Sequence, residues 1–375
     1  MKIGFDAKRL FNNFTGLGNY SRSLLKDLSG LTTSNQLYLY SPNIKENSTT
    51  SPFFDDQNYV LKSSEKLFWR SKGVVKDLKR DGIDLYHGLS NEIPFGIPHS
   101  GVKSIVTIHD LIFEIYPNTY RYIDSKIYDF KFKYACRNAD RIIAISESTK
   151  ADIIRFYDVP SQKIEVIYQA CDPLYYHLQT KDQIDVVLKR YNVPSRFMLY
   201  VGSVIERKNL LTILKAQERL DAKLRIPLVI VGKGDTYQKK VEHYIKVNRL
   251  ENHVLWLSNI SDNLDLQALY QAADIFIYPS VYEGFGIPVV EALLSKTPVI
   301  TSNCSSLPEA AGPNSICIDP NDVDAMARAM TDIFTNETLR ESMIREGFIY
   351  AQDKFNGISN ANKVMSLYQN VFKHL

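Results

Sequence analysis

Asp274-Ile-Phe-Ile-Tyr-Pro-Ser-Val-Tyr-Glu283-Gly-Phe-Gly286-Ile-Pro288-Val-Val-Glu291-Ala-Leu-Leu294-Ser-Lys-Thr-Pro298-Val-Ile-Thr-Ser-Asn303 decides how the chain is read. Ile275 to Tyr278 is a short apolar run of the kind that forms a buried strand, and Pro279 and Ser280 end it. Glu283-Gly284-Phe285-Gly286 is dense in turn residues. Pro288 stands where a first helical residue would, and Val289 to Leu294 continue with helical character until Pro298 forbids more. Val299-Ile300 is the next buried strand. Strand, loop, helix and strand in this order predict an α/β protein with a parallel sheet.

The same stretch places two carboxylates around a loop that can expose backbone amides. Glu283 precedes the helix, and the spacing puts Glu291 in its first turn, both at the carboxyl edge of the sheet. A helix N-terminus suits an anion such as a diphosphate. Carboxylates beside that anion would repel it, so hydroxyl recognition is their chemical task if they have one. The alternative is a solvent-facing Glu283 and a Glu291 that merely favours the helix dipole. Spacing does not choose between them.

A chain of 375 residues exceeds the size of one hydrophobic core and predicts two domains. Hydrophobic content of 45% and charged content of 23% belong to an ordinary globular protein. The net charge of +3 is unevenly spread, with a basic excess up to about residue 250 and an acidic excess beyond it. That asymmetry points to an anionic substrate or membrane surface; no basic run or motif points to nucleic acid. Cys136, Cys171, Cys304 and Cys317 form neither a metal-binding pattern nor a disulfide framework. Met1-Lys2-Ile3-Gly4-Phe5 enters a strand at once, no apolar run reaches membrane-spanning length, and a cytoplasmic setting is expected.

Ile3–Asp6 and Gln36–Tyr40 read as strands. Between them Gly16 and Gly18 precede an amphipathic helix; they either bring backbone close to a ligand or make a plain tight turn. Residues 41–58 read as loop. Lys66 to Arg80 reads as a basic amphipathic helix with Leu67, Val74 and Leu78 as its apolar stripe and Arg70 among its polar-face charges. This helix is either an ordinary solvated face or, with the basic-aromatic stretch Tyr120–Tyr134, a contact for anionic lipid. His87 and His109 fall near the carboxyl edges of two strands, and Ser146 caps the helix from Glu147. Residues 170–195 read as the interdomain crossing. After the strand Phe197–Gly202, Arg207 and Lys208 sit at a strand-to-helix loop, where two cations oppose the dipole unless a polyphosphate compensates them. Asn259 to Asp262 precede a further helix, and Asp319–Asp322 begin another.

The string Tyr-Pro-Ser-x-Tyr-Glu283-Gly284-Phe285-Gly286-Ile-Pro-x-x-Glu291-Ala resembles the E-x7-E motif of retaining, nucleotide-sugar-dependent glycosyltransferases of family 4. The likeness covers nearly the whole chain and is strongest from 197 to 312. It implies the GT-B fold, two Rossmann-like domains facing across a cleft. The expected divisions are 1–172 on the acceptor side, 173–345 for the nucleotide sugar, and terminal helices at 346–375 packing back on the first domain. By the family pattern Arg207 and Lys208 bind the leaving diphosphate, Glu283 the sugar hydroxyls and Glu291 the ribose, with the amides of Phe285 and Gly286 and neighbouring Gly284 helping. His109 contacts the donor sugar near the anomeric centre, the Gly16–Gly18 loop faces donor and acceptor, and the Asn259-Ile260-Ser261-Asp262 loop edges the base. Glu206 stands where the family often has Pro, which leaves the approach of that loop open. Asp322-Val-Asp324 spells the D-x-D metal signature of a different glycosyltransferase fold, but at a helix start it reads as a cap. No metal or cofactor is called for if cations and amides stabilise the leaving group. The implied activity moves a hexose from a donor such as GDP-mannose or a UDP-sugar to a glycan or lipid-linked acceptor in polysaccharide or lipopolysaccharide synthesis, with peripheral membrane contact and no nucleic acid. A non-catalytic sugar-nucleotide or glycan binder and a nucleotide-sugar epimerase are the alternatives.

Overall fold

In the computed structural model, which describes residues 1–31, 35–64, 66–260 and 262–373, the chain divides into two units. The first comprises Met1–Ala170 with Asn356–Leu375, the second Cys171–Phe355. Residues 374 and 375 of the expected terminal helices lie outside the described residues, as does Ser261.

The first unit is built on strands β1 (Lys2–Asp6), β2 (Gln36–Ser41), β3 (Tyr59–Ser63), β4 (Leu85–Gly88), β5 (Lys103–Ile108), β6 (Arg141–Ala144) and β7 (Ile164–Val166). They form one parallel sheet in the order β3-β2-β1-β4-β5-β6-β7. Alternate side chains feed two cores. Leu85, Ile105 and Ile143 pack on one face with Leu25 and Leu28, whereas Tyr86, Val106 and Ile142 pack on the other with Val74 and Leu78. A sheet buried on both faces explains why its strands read as apolar runs rather than alternating ones. The terminal helix Gly357–Lys373 belongs to the first of these cores. Its Tyr368 hydroxyl meets His87 Nδ1 at 2.6 Å, and Asn360 Nδ2 donates to the Tyr168 carbonyl at 3.0 Å. His87 is thus a buried structural residue.

The second unit holds β8 (Met198–Val201), β9 (Leu228–Val231), β10 (Val254–Leu257), β11 (Ile275–Tyr278), β12 (Val299–Ser302) and β13 (Ile316–Ile318). The parallel order is β10-β9-β8-β11-β12-β13, so the strand order reverses direction between β8 and β11. Open α/β sheets bind ligands at the carboxyl ends of the strands flanking such a reversal. The first sheet has its own reversal between β1 and β4.

Several expectations are revised. The segment read as loop contains a helical turn, Pro52–Asp55, and runs into the edge strand β3, whose residues are mostly half-buried and carry little apolar signal. The basic helix begins with a π-helical turn at Trp69–Gly73 and continues over Val74–Asp81. Val74 and Leu78 are buried, but Leu67 is 84% exposed, and Arg70 turns inward onto Asp6 instead of joining the polar face. The chain changes unit at Ala170–Cys171. Much of the expected crossing is ordered structure of the second unit, where Thr180 and Gln183 form a capping box for the helix Lys181–Arg190. Glu337–Lys354 is one continuous helix. It stays in the second unit because Gly347 packs on Leu293 and the Tyr350 hydroxyl donates to the Glu309 carbonyl at 2.7 Å. Only the last helix joins the first unit.

Candidate active site

The chain leaves β8 at Gly202, whose φ of +152° and close approach to the Lys208 side chain both favour glycine. Glu206–Lys208 then make a single 3-10 turn, and Asn209 takes a left-handed conformation before the helix Leu210–Glu218. This path carries Arg207 and Lys208 to the end of β11. There they meet Glu283: Arg207 Nη1 lies 2.9 Å and Lys208 Nζ 3.4 Å from the same carboxylate oxygen. Tyr278 and Ser280 donate to that oxygen at 3.1 and 2.8 Å. Arg207 also donates to the Tyr282 carbonyl, and Lys208 to the Tyr278 hydroxyl, over whose ring its ammonium sits at 4.7 Å from the centroid. Burial alone would raise the Glu283 carboxyl, but Lys208 and Arg207 beside it hold it below its ordinary value. Burial pushes the Lys208 amine down despite the attraction of Glu283. Glu283 is therefore ionised, and the two cations share one negative charge. The cluster sets one carboxylate against two basic groups at the strand-order reversal.

The loop that follows is fixed from below. Glu283 N–H donates to Ser305 Oγ at 3.0 Å, while Ser306 Oγ donates to the carbonyls of Glu283 and Phe285 at 2.9 and 2.7 Å. Phe285 is buried with its ring against Phe355. Gly286 has φ +124°, and a Cβ there would lie 2.9 Å from Leu307 Cδ2. The helix Ile287–Leu294 starts one residue earlier than the sequence implies, so Glu291 lies beyond its first turn. The reading of Glu291 as a dipole-favouring residue falls with that position. Its Oε2 accepts from the Tyr270 hydroxyl at 2.8 Å, and Oε1 bonds to nothing among the described residues. Burial lifts its pKa to about 7, with Tyr270 lowering and Asp172 raising it. The two glutamates thus have different partners and opposite shifts, one pinned as an anion and one poised to titrate.

Asn259 and Ile260 follow the edge strand β10, and Asp262 caps the helix Asn263–Ala272 by accepting from Leu264 N–H at 2.8 Å. Asp322 caps its helix in the same way, accepting from Ala325 N–H. In the first unit Gly16 opens the helix Gly16–Leu31 with open space around its Cα. Gly18 is needed for packing: a Cβ there would fall 1.7 Å from the Asn13 carbonyl oxygen. His109 is buried, with Nε2 2.8 Å from the Leu89 carbonyl and Nδ1 3.0 Å from Gln169 Nε2. The Leu89 carbonyl can only accept, so Nε2 carries the proton and Nδ1 accepts from Gln169. Burial takes the ring to about 4, which makes it neutral at physiological pH. A sugar hydroxyl would reach Nδ1 only by replacing Gln169.

Sequence reasoning missed Tyr278, Ser280 and Ser306, although the first two stand inside the decisive stretch. Tyr270 carries no local signal, because it reaches Glu291 from a neighbouring helix. Among the described residues no helix is long and apolar enough to cross a membrane.

Two Rossmann-like units, one with paired cations and a carboxylate at the strand-order reversal beneath a glycine turn, form an arrangement chemically suited to an anionic, hydroxyl-rich ligand. Comparison supplies the family. The model for glycosyl transferases group 1 matches residues 188–349, and that for glycosyltransferase family 4 matches 36–173. The chain belongs to these glycosyltransferases. It is 28% identical to the O-antigen chain mannosyltransferase B of Escherichia coli over 94% of this chain and 95% of that protein. It is 29% identical over 268 residues to the Escherichia coli serotype-specific mannosyltransferase WbdA, covering 68% of this chain and 32% of the longer relative. Among solved structures, Anabaena Alr3699/HepE in complex with UDP and glucose superposes with a TM-score of 0.75 at 16% identity, covering 99% of this chain and all of that one. These likenesses place the fold among GT-B glycosyltransferases.

Proposed function

We propose that the chain transfers a hexose, with mannose favoured by its full-length relative, from a nucleoside-diphosphate sugar to a glycan or lipid-linked acceptor of a cell-surface polysaccharide, with retention at the anomeric carbon. The observation that carries this reading is the pairing of Arg207 and Lys208 on Glu283 at the end of β11. A diphosphate arriving there meets two cations held in place before reaction, where charge develops on the leaving group. Glu283, kept ionised, accepts sugar hydroxyls; Glu291 accepts ribose hydroxyls through Oε1; the amides of Phe285 and Gly286 add donors to the phosphate. Asn259 and Ile260 edge the base. In the transfer step the anomeric carbon–oxygen bond breaks and its electron pair passes to the β-phosphate. The acceptor oxygen bonds the same face of that carbon, and its proton goes to the departing phosphate oxygen. His109, being neutral, serves as a hydrogen-bonding group rather than an acid.

The enzyme works at the inner face of a membrane. Leu67, Phe68, Tyr122, Ile123 and Phe130 of the first unit are more than 60% exposed, and Phe95 links the two segments by packing its tilted ring against Phe130 and donating its N–H to the Ser71 carbonyl. Such a patch beside Lys72, Lys76 and Lys126 suits an anionic lipid surface. Incubation with a panel of nucleotide sugars, with and without lipid-linked acceptors, tests the activity. A new glycosidic bond formed only when acceptor is present supports it; hydrolysis or epimerisation without acceptor refutes it.

A further inference from the structure

The carboxyl end of β1 flanks the strand-order reversal of the first sheet, and the residues that follow carry more positive charge than they use. Asp6 is closed off by Arg70, whose Nε lies 3.1 Å from both carboxylate oxygens and whose Nη2 lies 2.5 Å from one. Arg70 Nη1 and Lys131 Nζ both meet Glu92 at 3.1 Å. Every nearby carboxylate named here is already paired. Lys8 and Arg9 open the short helix Lys8–Asn12 beside them, both half-buried, and neither side chain has a hydrogen bond or ion pair among the described residues. Arg9 Nε is fully buried with no hydrogen-bond partner among the described residues. Burial depresses the Lys8 amine, and Arg70 and Arg9 repel it further, while Glu92 and Asp6 counter only part of that. The charge of Arg9 also reaches His109, at the end of β5.

Asp6 and Glu92 are already held by Arg70 and Lys131, so they offset the charge of Lys8 and Arg9 only in part, and a bound anion would offset the remaining cost. The helix is too short for its dipole to matter, so the charge lies in the side chains. We propose that Lys8 and Arg9 form an anion site on the first unit that takes the phosphate group of the acceptor, whether a lipid or a soluble sugar carries it. Arg9 supplies a planar fork suited to two phosphate oxygens, and Lys8 a point charge. The proposal rests on the acceptor-dependent transfer proposed above.

Two experiments separate it from that reading. The first follows the 31P line width of inorganic phosphate titrated into full-length Arg207→Gln/Lys208→Gln protein, where the donor cations are gone. Broadening should persist, and adding Lys8→Gln and Arg9→Gln should weaken phosphate affinity by at least about tenfold. Lys8→Arg/Arg9→Lys should retain it, which a purely structural role would not predict. Unchanged affinity without the two charges overturns the site. The second measures transfer by Lys8→Gln/Arg9→Gln protein with intact donor cations. The KM for a phosphate-bearing acceptor should rise about tenfold while the donor KM stays put. A soluble sugar phosphate and a phospholipid-linked sugar in neutral vesicles, compared side by side, identify the carrier. A rise confined to the donor KM would assign the pair to the donor diphosphate and overturn the proposal. If the wild type transfers no sugar, the proposed activity fails while the phosphate titration still decides the anion site.

Discussion

Glu291 offers a test in which pH reads out a single group. Its carboxyl is raised from an ordinary 4.5 to about 7 by burial, and its ionised form is the stronger acceptor for two ribose hydroxyls. At pH 5 about 1% remains ionised, so donor affinity should fall by up to roughly a hundredfold between pH 8 and pH 5. The donor itself does not titrate there, since both its phosphates are esterified, and neither does His109, at about 4. Glu291→Gln should flatten the profile. Tyr270→Phe should move its midpoint upward, because the lost hydrogen bond lowers the carboxyl. The sign for stability is opposite. A folded-state value above the unfolded one stabilises the fold fully below pH 4.5, and that contribution is lost as pH rises through about 7. At pH 8 Glu291→Gln should therefore stabilise the ligand-free protein by up to roughly 3 kcal/mol while weakening the donor. Calorimetric donor titration at several pH values, with a 2′,3′-dideoxyribose donor as control, measures the first effect. A flat wild-type profile, or an equal slope in the Gln variant, would refute the reasoning.

The remaining predictions are briefer. Arg207→Ala or Lys208→Ala should lower turnover by at least about a hundredfold with the fold retained, as seen by circular dichroism and initial rates. Gly286→Ala should cost about 1–3 kcal/mol in denaturant melts, because its Cβ meets Leu307 and its φ disfavours any side chain. Replacing Phe68, Tyr122 and Phe130 by Ser, or Lys72, Lys76 and Lys126 by Gln, should each weaken sedimentation with anionic vesicles, and only the second set should alter the salt dependence. Equal sedimentation of all three proteins would make the patch an ordinary surface.

The sheets were legible because central strands buried on both faces are written as apolar runs, as Ile275 to Tyr278 and Val299-Ile300 are. The edge strands β3 and β13 were not, since half-buried residues such as those of Tyr59–Ser63 need no such run. Arg207, Lys208, Glu283 and Glu291 could be named from local motifs. Their mutual arrangement could not: that three of them share one oxygen depends on β8 and β11 being neighbours, a long-range fact. Arg70 shows the same limit in reverse. Helical spacing put it among solvated charges, yet a π-helical turn and a carboxylate 64 residues earlier draw it inside.

That contrast separates structural charge from site charge. Burying ions costs desolvation energy, recovered only when their hydrogen-bonding capacity is filled. Asp6 meets that condition, with Arg70, Ser90 and the Lys8 amide distributed over its two oxygens. Removing any partner would leave a buried anion exposed, which is how a structural pair behaves. Glu291 does not meet it: one oxygen holds Tyr270, the other bonds to nothing among the described residues, and burial pushes the carboxyl up to about 7. Folding alone would favour Gln or an apolar residue there. A ligand that brings two hydroxyls completes the acceptor set and converts the penalty into differential affinity for the bound state. The incomplete coordination of Glu291, and the only partly compensated charge of Lys8 and Arg9, are therefore better physical markers of binding than burial or charge by itself.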